Sequence, residues 1–183
     1  FMELGIDLAQ IGVERDEDSA GYFCTPRGAR IIGFLGVDGV HFCFVRGFGE
    51  IVFAVSPMNS PDFVRPVARS FEDFLRLLLA CGDAGALEQA WMEQEKCTPT
   101  GGQRRTLELI AHKTGLTPME EPIRYIRELQ SGFDFGKIKY TEDIHDPDMN
   151  PYAEPEWKVC YGGGFCGSGR AGEEIRFDRS FDW

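Results

Sequence analysis

Histidines, cysteines and clustered carboxylates are the groups in this chain that could do chemistry, and each set can be checked against a spacing requirement. His41, His112 and His145 lie in three different segments, and none belongs to an HExxH-type pair. Cys24 or Cys43 beside His41 could form a thiol nucleophile with its base, which needs the two within hydrogen-bond reach. Nothing in the spacing singles that pair out, and His41 reads as a sheet residue. No G-x-S-x-G elbow is present. Cys160 and Cys166 lack the paired spacing of a zinc site, and their nearest candidate partner, His145, stands alone. Asp146, Asp148 and Asn150 copy the first three ligands of a calcium loop. Pro151 then occupies the position that needs glycine, and Trp157 the position that needs a bidentate glutamate. That run reads as a solvated acidic loop. Gly167, Gly169 and Gly172 make a formal G-x-G-x-x-G, but a dinucleotide fingerprint must open a helix. Here Glu173 and Glu174 begin a strand-like run, so the stretch reads as a mobile hairpin loop. The expectation is a non-enzymatic domain without metal or cofactor.

The elements that would position these groups are clearer. Residues 31–37, 40–46 and 51–56 form three strand-like runs with tight glycine turns between them. Asp38-Gly39 is the pair a type I′ hairpin wants, because both central residues take positive φ. Gly47-Phe48-Gly49 closes the second hairpin, and Tyr22-Phe23-Cys24 is a candidate start of the sheet. Phe42 and Phe44 fall on one face and Cys43 and Val45 on the other, so both faces should be covered.

Residues 58–66 read as a proline-broken loop. Ser70 caps a helix whose Phe71, Phe74, Leu75, Leu78 and Leu79 make one apolar stripe, stopped by Gly82. Burying five such side chains contributes roughly 7–15 kcal/mol before entropy is counted. A second helix spans 83–92 with Leu87 and Trp91 inward, and 98–102 reads as a linker. Helices at 103–114 and 119–130 follow, the latter opened by Thr117-Pro118. A polar, proline-rich stretch covers 133–156, and terminal strands are expected at 156–161 and 173–178. A weak helical pattern occupies residues 2–9. The expected fold class is α+β: a mainly antiparallel sheet with helices against it. Residues 1–95 would be the core, with 96–183 a helical and β extension packed on it as one domain.

Bulk properties narrow the function classes. The chain has 183 residues, 43% of them apolar, and no run near the eighteen needed to span a bilayer. A chain opening on Phe1 suggests that native residues precede it. The six cysteines are scattered, which suits reduced thiols and a cytoplasmic location. Thirty acidic against nineteen basic residues give a net charge of −11, which argues against nucleic acid as a partner. Aromatics reach 13% without interleaved basic residues, so a stacking platform is unsupported. The acid is uneven: residues 141–156 hold six carboxylates and no Lys or Arg.

One resemblance adds to this. Ile32-Gly33 and Leu35-Gly36-Val37-Asp38-Gly39 lead into His41-Phe42-Cys43-Phe44, followed by Glu50-Ile51-Val52-Phe53. The run Val67-Ala68-Arg69-Ser70-Phe71-Glu72-Asp73-Phe74-Leu75 completes the set. Together they resemble the SUKH superfamily, the immunity proteins related to fungal Smi/Knr cell-wall-assembly regulators. The resemblance covers about a quarter of the chain. It implies an α+β fold without a catalytic set, and its bacterial members are thought to bind secreted or contact-delivered toxins directly, many of them nucleases. Its motif residues are core residues, so it transfers no site.

Three functions are therefore weighed. The first is an immunity protein or antitoxin that occludes a basic toxin domain, with Asp143, Asp146, Asp148, Glu154 and Glu156 as the partner-binding face. The second is a cytoplasmic regulator or scaffold for an endogenous partner. The third is a hydrolase built on Cys43 and His41.

Overall fold

The computed structural model describes residues 6–15, 21–89, 99–153, 157–160 and 164–167. Its centre is an antiparallel meander in sequence order: β1 Ala29–Phe34, β2 His41–Val45, β3 Val52–Val55 and β4 Val64–Ala68. Asp38 (φ 52°) and Gly39 (φ 68°) both take left-handed backbone, and the Val40 N–H donates to the Val37 carbonyl at 3.0 Å. The expected type I′ turn is thereby formed. It places His41 opposite Phe34 and Phe42 opposite Gly33. Bulges at Ile31/Gly33 and Val52/Phe53 break the register once in each outer pair.

Two expectations about the sheet needed correction. Tyr22-Phe23-Cys24 is a turn, not a strand, with the Thr25 N–H donating to the Tyr22 carbonyl. The stretch read as a loop to Pro66 contains the start of β4. Pro66 sits opposite Phe53, in an edge strand, the place in a sheet where a missing N–H is tolerated. Ahead of the sheet, Ala9–Ile11 is a single 3₁₀ turn and residues 6–8 are not helical; residues 2–5 of the expected helix lie outside the described residues. Glu14 bridges Phe34 at the outer edge of β1, exchanging two 2.7 Å main-chain bonds. Gly33 makes this approach possible: a Cβ there would lie 2.7 Å from Val13 Cγ1 and 2.8 Å from the Glu14 carbonyl oxygen.

Helix α1, Phe71–Cys81, starts as expected, with the Asp73 N–H donating to the Ser70 hydroxyl at 3.1 Å, and ends at left-handed Gly82. Phe74, Leu75, Leu77 and Leu78 are buried, and Phe71 and Leu79 are half-buried. Helix α2 is only Gly85–Glu88 within the described residues, and Trp91 lies outside them. Helix α3, Gly101–Thr114, begins two residues before the expected start. Thr100, taken for part of a linker, caps it in a reciprocal box with Gln103. Helix α4, Pro122–Ser131, begins three residues later than expected, with Pro122 in its first turn. Strand β5, Trp157–Cys160, pairs with β6, Gly164–Gly167, which lies inside the glycine-rich stretch. The strand expected at 173–178 lies outside the described residues.

The result is an α+β fold with a core on each side of the sheet. Phe42, Ala54 and Val67 meet Phe74, Leu77, Leu78, Leu107, Ile110 and Ile126 on the helical side. On the other side Cys43, Val45, Phe53 and Val55 lie under Phe23, Phe63 and Ile138. Both cores draw on residues from either side of position 95. Among the described residues, no helix is long and apolar enough to cross a membrane.

Candidate interaction surface

The three side chains of the candidate Cys/His arrangement, Cys24, Cys43 and His41, are all buried. His41 is fully buried, between the Tyr22 ring (5.9 Å) and the Phe34 ring (5.4 Å). Its Nδ1 lies 2.8 Å from the Gly39 carbonyl oxygen, which can only accept, so Nδ1 carries the proton. Nε2 then accepts from the Thr25 hydroxyl at 3.0 Å, and Thr25 Oγ1 in turn accepts from the Tyr22 N–H at 2.7 Å. Burial holds the imidazole below its usual titration range, and the Gly39 carbonyl only partly opposes this. Cys24 and Cys43 are buried free thiols, each pushed up to about 12 by burial. A neutral imidazole with both nitrogens engaged and two un-ionised thiols is the reverse of an activated Cys/His pair.

A cleft of about 730 Å³ opens beside β1, floored by Val13, Ile32, Phe44 and Phe71 and flanked by Arg15 and Arg30. Among the described residues, its lining contains no His, Cys, Ser or Thr. Among the described residues, no three His, Cys, Asp or Glu side chains gather as a metal site would need. Cys166 lies opposite Lys158 in the β5–β6 register, and Cys160 opposite Gly164.

The acidic stretch has a defined geometry. Glu142–His145 forms a 3₁₀ turn, and a tight turn follows in which Asp146 Oδ1 accepts from the Asp148 N–H at 2.9 Å. Asp143, Asp146 and Asp148 all point into solvent. Glu154 and Glu156, expected on the same face, lie outside the described residues. Asn150 braces the loop from within: it is buried, its Nδ2 donates to the Ile144 carbonyl at 2.6 Å, and its Oδ1 accepts from the Tyr152 N–H at 2.9 Å. Its own N–H donates to the Asp146 carbonyl at 2.7 Å. The third position of the calcium-like run is therefore a main-chain anchor. Sequence reasoning placed the acids but missed this brace. The signal was there, in an Asn-Pro pair closing a turn-forming Asp-Pro-Asp run.

The loop is seated on the second core. Ile144 packs against it, and the Tyr152 ring lies 6.3 Å from Phe63. Pro26 and Tyr140 form an isolated bridge, with the Arg27 N–H donating to the Lys139 carbonyl at 2.7 Å. The segment that carries the acids is thus tied back to the chain ahead of β1. Compared with protein-family models, curated proteins and solved structures, the chain shows no significant match in any of the three.

Proposed function

We propose that this chain is a non-enzymatic, cytoplasmic protein-binding domain: a SUKH-type immunity protein that binds and occludes a toxin whose active surface is basic, as a nuclease's is. The observation that carries the reading is the braced acidic turn. Asp143, Asp146 and Asp148 stand exposed on a loop that buried Asn150 holds in one shape. On a chain of net charge −11, such a face attracts a cationic partner at long range and costs little ordering on contact. The sheet being packed on both sides supports recognition on the outer surface, since both cores are filled. Buried free thiols at Cys24 and Cys43 suit a reducing compartment.

The test is co-expression with the toxin-like product of the adjacent reading frame. Growth rescue is expected, together with an association rate that falls steeply as salt rises. A chain that fails to rescue, and a rate indifferent to salt, would remove the proposal.

A further inference from the structure

Exposed apolar side chains stand on the acidic loop and on the loop it touches. Met58 (61% exposed), Met149 (55%) and Tyr152 (41%) are among the most exposed large apolar side chains described. The Tyr152 hydroxyl donates to the Met58 sulfur at 3.6 Å, joining the β3–β4 loop to the acidic loop. Both loops are closed from beneath, the first by the Ser56 N–H to the Phe63 carbonyl at 2.8 Å, the second by Asn150. Met149 stands within the acidic turn, its N–H donating to the Asp146 carbonyl at 3.1 Å. Exposed carboxylates adjoin these residues along the chain: Asp146 and Asp148 on the turn that carries Met149, and Asp62 on the loop that carries Met58. Asp62 is already paired, with Arg65 at 3.6 Å, whereas residues 141–156 contain no Lys or Arg.

We propose that Met58, Met149 and Tyr152 form the apolar centre of a docking surface whose occupant is a protein presenting a short apolar knob flanked by Lys or Arg. This deepens the function proposed above and rests on it. The carboxylates of the acidic turn select the occupant. A second copy of this chain, or a nucleic acid, would bring like charge against Asp146 and Asp148, whereas a cationic rim neutralises them. The centre suits an apolar knob, because thioethers reshape around a partner at little cost and a ring held at one end stays in place.

The full chain carries five methionines, so ¹³C-methyl labelling gives a direct readout. Met58 and Met149 report on the surface, and Met119, packed against the helical core, serves as the control. The probes are two synthetic peptides, Lys-Arg-Leu-Trp-Arg-Lys and the same peptide with Ser-Ser at its centre. Met58 and Met149 should shift saturably with the first peptide while Met119 stays still. The Ser-Ser peptide should bind about tenfold more weakly, the loss expected of one anchor contact. A Met58→Ser, Met149→Ser double variant should bind both peptides alike. Equal affinity of the two peptides for the parent chain would overturn the proposal, as would equal shifts at Met119. Shifts of Met58 and Met149 on concentration alone would also overturn it, in favour of self-association. The two proposals fail separately. If the double variant protects against the toxin as well as the parent, the docking surface falls and the function stands. If the methyls respond as expected but no toxin is neutralised, the surface stands and the function falls.

Discussion

Replacing Asn150 by alanine should loosen the acidic loop without unfolding the protein. The substitution removes two side-chain hydrogen bonds, to the Ile144 carbonyl and from the Tyr152 N–H, and leaves both main-chain groups without those partners. At about 0.5–1.5 kcal/mol net for each bond, the loss is about 1–3 kcal/mol, roughly a 5- to 150-fold rise in loop opening. It should stay local, because the loop's neighbours in the second core are held independently by the sheet. Native-state hydrogen exchange separates the cases. The Asn150 amide, bonded to the Asp146 carbonyl, should exchange faster by that factor, while the amides of β2 and β3 keep their protection. Asn150→Asp, which keeps the acceptor for Tyr152 but sets a carboxylate against the Ile144 carbonyl, should be worse than alanine. Unchanged exchange at residue 150, or an equal rise at Phe42 and Phe53, would refute the claim that this side chain braces the loop.

Gly33→Ala should cost about 1–3 kcal/mol of stability, read as a lower urea midpoint, because its Cβ would fall within 2.8 Å of Val13 and Glu14 and push that segment off the edge of β1. Cys24 and Cys43, pushed up to about 12, should resist thiol reagents in the native protein at pH 8 and react only on unfolding. His41 is held below its ordinary range, so its contribution to stability is complete above the unfolded value of about 6.5 and is lost as pH falls below it. Denaturant titrations at pH 7.5 and 5 should show the parent losing stability relative to His41→Gln. No relative change would place His41 in solvent.

Much of this fold could be read from residue types, and the failures share a cause. The hairpin at Asp38-Gly39 and the helix opened by Ser70 were legible because one short signal decides each. The two-sided burial of β2 was legible from its unbroken apolar run. Strand β4 was not, because proline argues against a central strand and nothing local says that Val64–Ala68 lies at an edge. Thr100 looked like part of a linker because two glycines follow it, although its partner Gln103 sits at the capping-box spacing. Thr117-Pro118 and Glu121-Pro122 are competing start signals for α4, and only packing against the sheet and α1 chooses the second. At the surface, the carboxylates were visible as composition. The Met58–Tyr152 contact joins positions 94 residues apart, which no local pattern encodes.

The two sides of the sheet are completed at different times. The strands and α1 are contiguous in the chain, so the helical side can begin to close while the polypeptide is still being made. The opposite side waits for Ile138, Tyr140 and Ile144, and for the clasp between Pro26 and Tyr140. Until those residues leave the ribosome, Phe53, Val55 and Phe63 would be covered only in part, by Phe23 and Phe48. A nascent chain halted near residue 132 should therefore be sticky and a substrate for holdase chaperones, whereas release a dozen residues later would let it bury its own adhesive.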